Sequence, residues 1–460
     1  MNNPSITFYS GVGTVTGSNF LFEFENLRIL VDCGLLQGDK FSEDQNAKPF
    51  PYDPSSIQYL FVTHAHMDHI GKIPKLVRDG FTGVIYSTPE TKSLSEVMFP
   101  DALRLLQKEA EQRNTEVLYT EEDITHALSL WNVIPYHTKT EIIPGLSFYL
   151  KDAGHVLGSS MVEFSFKTSN ESNEWRKLVF TGDLGNSPSP LLKDTEELTD
   201  ANYLVMDSVY GDRNHEPLDE RRSRLREIIS DAIARGGTLV IPAFSLERSQ
   251  VILYEINNLV EEGKISSVPV FLDSPLAIAV TDIYRKGTEH FNQTVQEEIK
   301  GGDNIFNFPK LKFSVSARDH DEIAKVANPK IIIAGSGMSV GGRVVSHERH
   351  YLSDPKSTLL LIGYQVAGSL GRAIQDGAKE IVIGGERIPV RATIERVSGY
   401  SAHKDSDHLI EFVEKTRDNL KEVFVVMGEP KSSLFLVQRL RDYVGVNAIF
   451  PEKGIKYELE

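Results

Sequence analysis

The chain has 460 residues, 40% of them hydrophobic, a single cysteine and a formal net charge of −16. No apolar run approaches the roughly 20 residues that a bilayer crossing needs, and the first residues lack the basic-then-apolar pattern of a signal peptide. With Cys33 unable to form an internal disulfide, a cytoplasmic chain is expected, and the acidic balance excludes broad attraction to nucleic acid, so any such contact has to come from a local basic groove.

Length sets a prior of about three domains with ample material for buried cores. Residues 6–9, 19–24 and 28–32 read as strands, with Gly11, Gly13 and Gly17 between the first two. The polar, proline-punctuated stretch 37–56 reads as a loop. It leads into Tyr59-Leu60-Phe61-Val62-Thr63-His64-Ala65-His66-Met67-Asp68-His69, an apolar strand ending in three histidines and a carboxylate. Strand residues alternate faces, so His64 and His66 project the same way, while the turn that follows brings Asp68 and His69 round to a neighbouring point. Imidazole and carboxylate together suit Zn²⁺, and two such groups of ligands suit two zinc ions.

A short helix at 72–78, a strand at 83–87 and helical periodicity through 93–116 follow, and a further helix opens at 121 behind Thr120 as its cap. His126 and His137 have no ligand-like neighbours and read as structural or exposed. Strands at 146–150, 160–166 and 177–180 then deliver His155, set between glycines, and Asp183, which follows Thr181-Gly182.

From Tyr203 onward helix and strand alternate: a helix at 220–235, strands at 238–244 and 269–274 around a helix at 246–262, a strand at 330–334 with a helix from Gly342, and a strand at 357–363. Continuous apolar strands separated by helices predict a parallel sheet covered on both faces, which is a second domain. Three of these strands run into small-residue loops at 242–250, 334–343 and 363–372. Such loops expose backbone N–H groups to phosphate, with Arg248, Arg343 and Arg372 in reach and Ser336, Gly337, Gly363, Tyr364 and Gln365 as further contacts. His347 and His350, a turn apart, either touch the same phosphates or belong to an amphipathic helix.

In this order, a His-X-His-X-Asp-His run, a later Gly-His and a Thr-Gly-Asp resemble the metallo-β-lactamase superfamily of hydrolases. The resemblance implies a four-layer αββα sandwich, with Asp32 supporting the ligands from behind. Glu395-Arg396-Val397-Ser398-Gly399-Tyr400-Ser401-Ala402-His403-Lys404-Asp405, together with Asp207, is similar to the motifs of the β-CASP branch, whose members are nucleases. The Gly-Ser-Gly-Met and Gly-Tyr-Gln loops are most similar to those of bacterial and archaeal relatives of the pre-mRNA 3′-end-processing endonuclease, without the KH domains that some archaeal members carry. That family pattern implies a metallo-β-lactamase domain at 1–211, an inserted β-CASP domain at 212–396, in which a parallel sheet is flanked by helices, and a closing metallo-β-lactamase part at 397–460.

Carried over by position, His64, His66, His155 and Asp183 match the ligands of one zinc, and Asp68, His69 and the bridging Asp183 those of the other. The family chemistry is attack of a metal-bound hydroxide on phosphorus, with His403 as proton donor oriented by Asp207; Asp68, Asp183, Asp207 and His403 are thus the expected catalytic set. One position departs: where RNA-cleaving relatives have a histidine as last ligand of the second zinc, this chain has Met427, a soft thioether that suits Zn²⁺ poorly. The expectation is a zinc-dependent ribonuclease acting on single-stranded RNA, its second zinc site weakened by Met427. A DNA-processing β-CASP nuclease and a non-catalytic nucleic-acid-binding subunit are the alternatives. Endo- versus exonuclease action, cleavage preference and oligomeric state, a homodimer included, stay open.

Overall fold

The computed structural model describes residues 3–38, 42–168, 174–366 and 368–460. It divides into two compact units, Met1–Asn214 with His403–Glu460, and His215–Ala402. The chain therefore leaves the first unit and returns to it, and the return lies after the turn Ser398–Tyr400 rather than before it. That turn belongs to the second unit because its central peptide is held there from both sides. Arg221 Nη1 donates to the Gly399 carbonyl and the Gly399 N–H donates to Glu216 Oε2, each at 2.7 Å.

The first unit contains two seven-stranded sheets. One runs Lys456–Glu458, Ser5–Ser10, Asn19–Phe24, Leu27–Val31, Tyr59–Phe61, Val84–Ser87, Trp131–Val133; the other Ala448–Ile449, Glu422–Val426, Tyr203–Asp207, Trp175–Phe180, Ser160–Lys167, Leu146–Asp152, Thr140–Ile143. Alternation along the strands sends one set of side chains from each sheet into a shared core, where Phe22 and Phe61 meet Phe164 at ring-centroid distances of 5.2 and 4.9 Å. The opposite set from the second sheet, among them Met161, Val179 and Met206, packs beneath the helices Ser406–Glu414 and Pro430–Arg439 through Leu409 and Leu436. Helix Pro89–Arg113 covers the first sheet, with Phe99 against Trp131. The layers are helix, sheet, sheet, helix.

The second unit is built on six parallel strands in the order Leu311–Phe313, Val270–Asp273, Lys330–Ala334, Thr238–Pro242, Thr358–Leu361, Thr393–Arg396. The inner strands are buried throughout, the burial expected when helices cover both faces. An antiparallel hairpin, Glu380–Ile383 with Glu386–Pro389, stands apart from that sheet.

Several boundaries differ from the sequence reading for identifiable reasons. The loop at 37–56 contains a short helix, Ser42–Ala47, because the Asn46 side chain bonds both the N–H and the carbonyl of Leu36 at 2.9 Å. The long helix begins at Pro89 rather than 93, since Thr88 caps it and a proline suits the first turn; it ends at Asn114, which adopts φ 52°. The helix expected from 246 starts at Arg248 because Glu247 sits at φ 67°. Among the described residues no helix is long and apolar enough to cross a membrane.

Candidate metal centre

Strand Tyr59–Phe61, paired on both sides, ends at the carboxyl end of the sheet, and the chain runs through residues 62–66 into the short helix Met67–Ile70. The turn is pinned by its backbone: Ser18 N–H donates to the Asp68 carbonyl and Cys33 N–H to the His69 carbonyl, at 2.9 and 2.8 Å. Gly34 is required here, because a Cβ on it would lie 1.6 Å from the Asp68 carbonyl oxygen.

Four donor atoms converge in this unit. His64 Nε2 and His66 Nδ1 are 3.1 Å apart, His66 Nδ1 and His155 Nε2 3.3 Å, and Asp183 Oδ2 is 3.5 Å from both His64 Nε2 and His155 Nε2. Donors about 2.0–2.1 Å from a tetrahedral ion stand roughly 3.3–3.4 Å from one another, so these edges match a zinc-sized cation. His64, His155 and Asp183 are buried and His66 is partly exposed. Burial pushes His64 well below the ordinary histidine range, leaving the neutral imidazole that a metal takes as ligand.

The other oxygen of Asp183 faces a second group. Asp183 Oδ1 is 3.3 Å from His69 Nε2, and both atoms are buried without a hydrogen-bond partner. Asp68 Oδ2 lies 3.9 Å from the same Nε2. The orientation comes from behind. His69 Nδ1 is 2.7 Å from Asp32 Oδ2, whose carboxylate also accepts from Ser18 Oγ at 3.1 Å and from the Thr63 N–H at 2.9 Å. With Nδ1–H facing Asp32, the Nε2 edge of His69 is turned towards Asp183 and Asp68, the usual arrangement behind a ligating histidine. Burial opposes charge on Asp183, yet His69 and His64 outweigh it and hold the carboxyl well below its usual range. Burial pushes Asp68 up to about 6. On His69 burial is likewise outweighed, here by Asp183 and Asp32, and the proton so retained occupies the place a cation takes.

Met427 lies at φ 48° with its side chain in the core between the sheets. A Cβ on Gly11 would stand 2.7 Å from its sulfur. His403, paired across the Gly185 backbone, brings its Nδ1 within 3.6 Å of Asp207 Oδ2 and 3.8 Å of Asp183 Oδ2. Asp207 is buried, which raises its carboxyl pKa against the lowering effect of His403; its Oδ1 accepts the Leu184 N–H at 3.2 Å. His126 and His137 stand apart from this group, and His137 pairs with Glu196.

In the second unit the predicted loop residues lie at the carboxyl ends of the parallel strands. Gln365 Nε2 donates to the carbonyls of Gly337 and Gly363 at 2.9 and 3.2 Å, joining two of the loops. Arg343 Nη1 donates to Asp273 Oδ1 at 2.7 Å and to the Ser314 carbonyl at 2.9 Å, so its charge is neutralised inside the unit. His347 is buried on Asp273, Arg248 is buried, and Arg372 is partly exposed on Asp376. Ser336 and Tyr364 are partly exposed. Sequence reasoning missed Ser18 and Thr63, which hold Asp32, and the pairing of Asp273 with His320. The Thr63 hydroxyl beside His64 was the one local signal.

Strand-end imidazoles and a shared carboxylate, on an αββα sandwich that carries an inserted α/β unit, define a metallo-hydrolase. Three family models match: the metallo-β-lactamase superfamily at residues 12–156, the Beta-Casp domain at 249–374, and the Zn-dependent metallo-hydrolase RNA specificity domain at 387–451. The chain is 34% identical to Ribonuclease TTHA0252 of Thermus thermophilus, over 92% of each protein. It is 30% identical to an RNase J-like protein of Methanocaldococcus jannaschii, over 98% of each. With transcription termination factor FttA of Methanosarcina mazei it shares 30% identity over 94% of this chain and 68% of that one. The chain belongs to the β-CASP branch of the metallo-β-lactamase superfamily. A crystallised Enterococcus faecalis V583 protein of unknown function has the same fold, with a TM-score of 0.57 at 14% identity over 99% of this chain and 100% of that one.

Proposed function

We propose that the chain is a zinc-dependent ribonuclease that hydrolyses phosphodiester bonds of single-stranded RNA. The observation that carries this is the four-donor group, in which four donor pairs stand 3.1–3.5 Å apart, with His403 and Asp207 beside it. The RNA specificity model over 387–451 and the ribonuclease relatives support RNA as the polymer.

His64, His66, His155 and Asp183 hold one zinc, and Asp68, His69 and Asp183 a second. Zinc bound there polarises a phosphoryl oxygen and acidifies a water at neutral pH. Met427 adds no donor to the second group, so that group binds its cation more weakly than the first. His403, held near the Asp207 and Asp183 carboxylates, keeps a proton at neutral pH and delivers it to the leaving oxygen. Asp207, buried and anchored by the Leu184 N–H, fixes the imidazole's orientation. In the second unit Ser336, Tyr364 and Arg372 contact RNA, while Gln365, Gly337, Gly363, Arg248 and Arg343 give their loops the shape to do so.

The test is cleavage of a single-stranded RNA and of the DNA strand of the same sequence by the purified chain, with and without a chelator. Zinc-dependent cleavage of the RNA that His403→Ala removes is the expected result. Cleavage that survives chelation, or that prefers the DNA strand, overturns the proposal.

A further inference from the structure

His155 stands in the loop between strands Leu146–Asp152 and Ser160–Lys167. Ser159 closes that loop on itself: its Oγ accepts the N–H groups of His155 and Val156 at 3.0 and 3.2 Å, and its carbonyl accepts the Ala153 N–H at 3.1 Å. These bonds set the shape of the loop without setting where it stands.

Its ends are tied down elsewhere, Ala153 by the Gly185 N–H at 2.9 Å and Ser159 by the Tyr136 hydroxyl at 2.7 Å, and the stretch between them is held by the first turn of helix Pro89–Arg113. The cap residue Thr88 accepts the Thr91 N–H at 3.3 Å and donates its own hydroxyl to the Gly158 carbonyl at 2.6 Å. The Thr91 hydroxyl donates to the same carbonyl at 2.9 Å. Thr88 Oγ1 is also 3.0 Å from Thr91 Oγ1, but one hydroxyl has one proton, and the shorter contact is to Gly158. Both threonines are fully buried, so neither bond competes with water. The approach is tight: a Cβ on Gly158, which lies at φ 79°, would stand 2.6 Å from the Glu90 Cβ and 2.8 Å from the Thr91 nitrogen. Two hydroxyls on one carbonyl therefore lock the loop to a 25-residue helix, three positions from the ligand.

We propose that Thr88 and Thr91 are positioning residues for His155, and that by fixing the Gly158 carbonyl they set how tightly the four-donor group holds zinc. This rests on the zinc reading given above. Losing supports behind a ligand typically costs about 10–100-fold in metal affinity, because an imidazole free to wander no longer presents its lone pair where the other donors converge.

The experiment is zinc affinity of the full chain by competition with a chromogenic chelator, alongside the melting temperature of the zinc-free protein. Thr88→Val combined with Thr91→Val is expected to bind zinc about 10–100-fold more weakly than the natural chain. Because Thr88 also caps the helix, Thr91→Val alone serves as the second variant: it keeps the cap and removes one donor, and a weaker loss is expected from zinc-free protein that still melts cooperatively. Thr91→Ser, which restores a hydroxyl, is expected to restore affinity. The inference is overturned if the double variant binds as tightly as the natural chain, or if Thr91→Ser loses as much as Thr91→Val. If the natural chain itself binds no zinc, the zinc reading fails and takes this inference with it.

Discussion

Two clusters in this molecule contain the same kinds of side chain and are built for opposite ends. In the first unit His64, His66, His155 and Asp183 hold four pairs of donor atoms 3.1–3.5 Å apart and all of them within 4.8 Å. Beside them His69 Nε2 and Asp183 Oδ1 face each other at 3.3 Å, both buried, and the proton that Asp183 and Asp32 keep on His69 stands where a cation would. In the second unit Asp273, His320 and His347 are equally clustered, but Asp273 Oδ2 is 2.6 Å from His320 Nδ1 and from His347 Nε2, while Oδ1 takes Arg343. Those are hydrogen-bond lengths, shorter than the edge of any zinc tetrahedron, and a guanidinium already neutralises the carboxylate. The first cluster has ligand spacing and the second has hydrogen-bond spacing. Residue type therefore does not make a metal site; donor spacing, and whether a guanidinium already answers the carboxylate, decide it.

The comparison can be broken by exchanging the treatment of the two aspartates. Asp183→Asn removes the carboxylate that both donor groups share. Zinc content by elemental analysis should fall to background and RNA cleavage by more than about 10³-fold, in line with the several kcal/mol of transition-state stabilisation that a Lewis-acidic cation supplies. His403→Ala leaves all the donors in place, so zinc content should be unchanged while cleavage falls by about 10²–10⁴-fold, the usual contribution of a positioned acid. Asp273→Asn should do the reverse of Asp183→Asn. It puts a neutral amide where the half-buried Arg343 and the buried His347 bond a carboxylate, and should lower unfolding free energy in urea by about 1.5–3 kcal/mol with zinc content intact.

A pH-dependent effect sharpens the contrast within the second unit. Glu348 neighbours His347 in sequence, is fully buried and bonds Ser339 Oγ at 2.5 Å; burial pushes its carboxyl from the usual 4.5 up to about 7. Between those two pH values the folded chain keeps a proton that the unfolded chain has released, so stability falls as pH rises through that window. The loss attributable to Glu348 approaches about 3 kcal/mol above pH 7. Glu348→Gln should flatten that dependence, measured as the difference between urea midpoints at pH 5 and pH 8.

The first cluster was legible because His64, His66, Asp68 and His69 lie in one short run after an apolar strand, and because His155 and Asp183 follow strands in a fixed order. The second was not. Asp273 is 47 residues from His320, 70 from Arg343 and 74 from His347, and only the packing of helices against the carboxyl edge of a parallel sheet brings them together. The sequence reading consequently assigned Arg343 to phosphate, whereas the fold gives it a carboxylate of its own. Thr88 and Thr91 look like an ordinary helix start, and nothing local marks Gly158, 67 and 70 residues further on, as their acceptor.

The most direct test is anomalous scattering at the zinc edge from crystals of the purified protein. A peak enclosed by His64, His66, His155 and Asp183, with none at Asp273, is the predicted result. A peak at Asp273, His320 and His347, or zinc-replete protein with no peak at the strand-end histidines, would contradict the account.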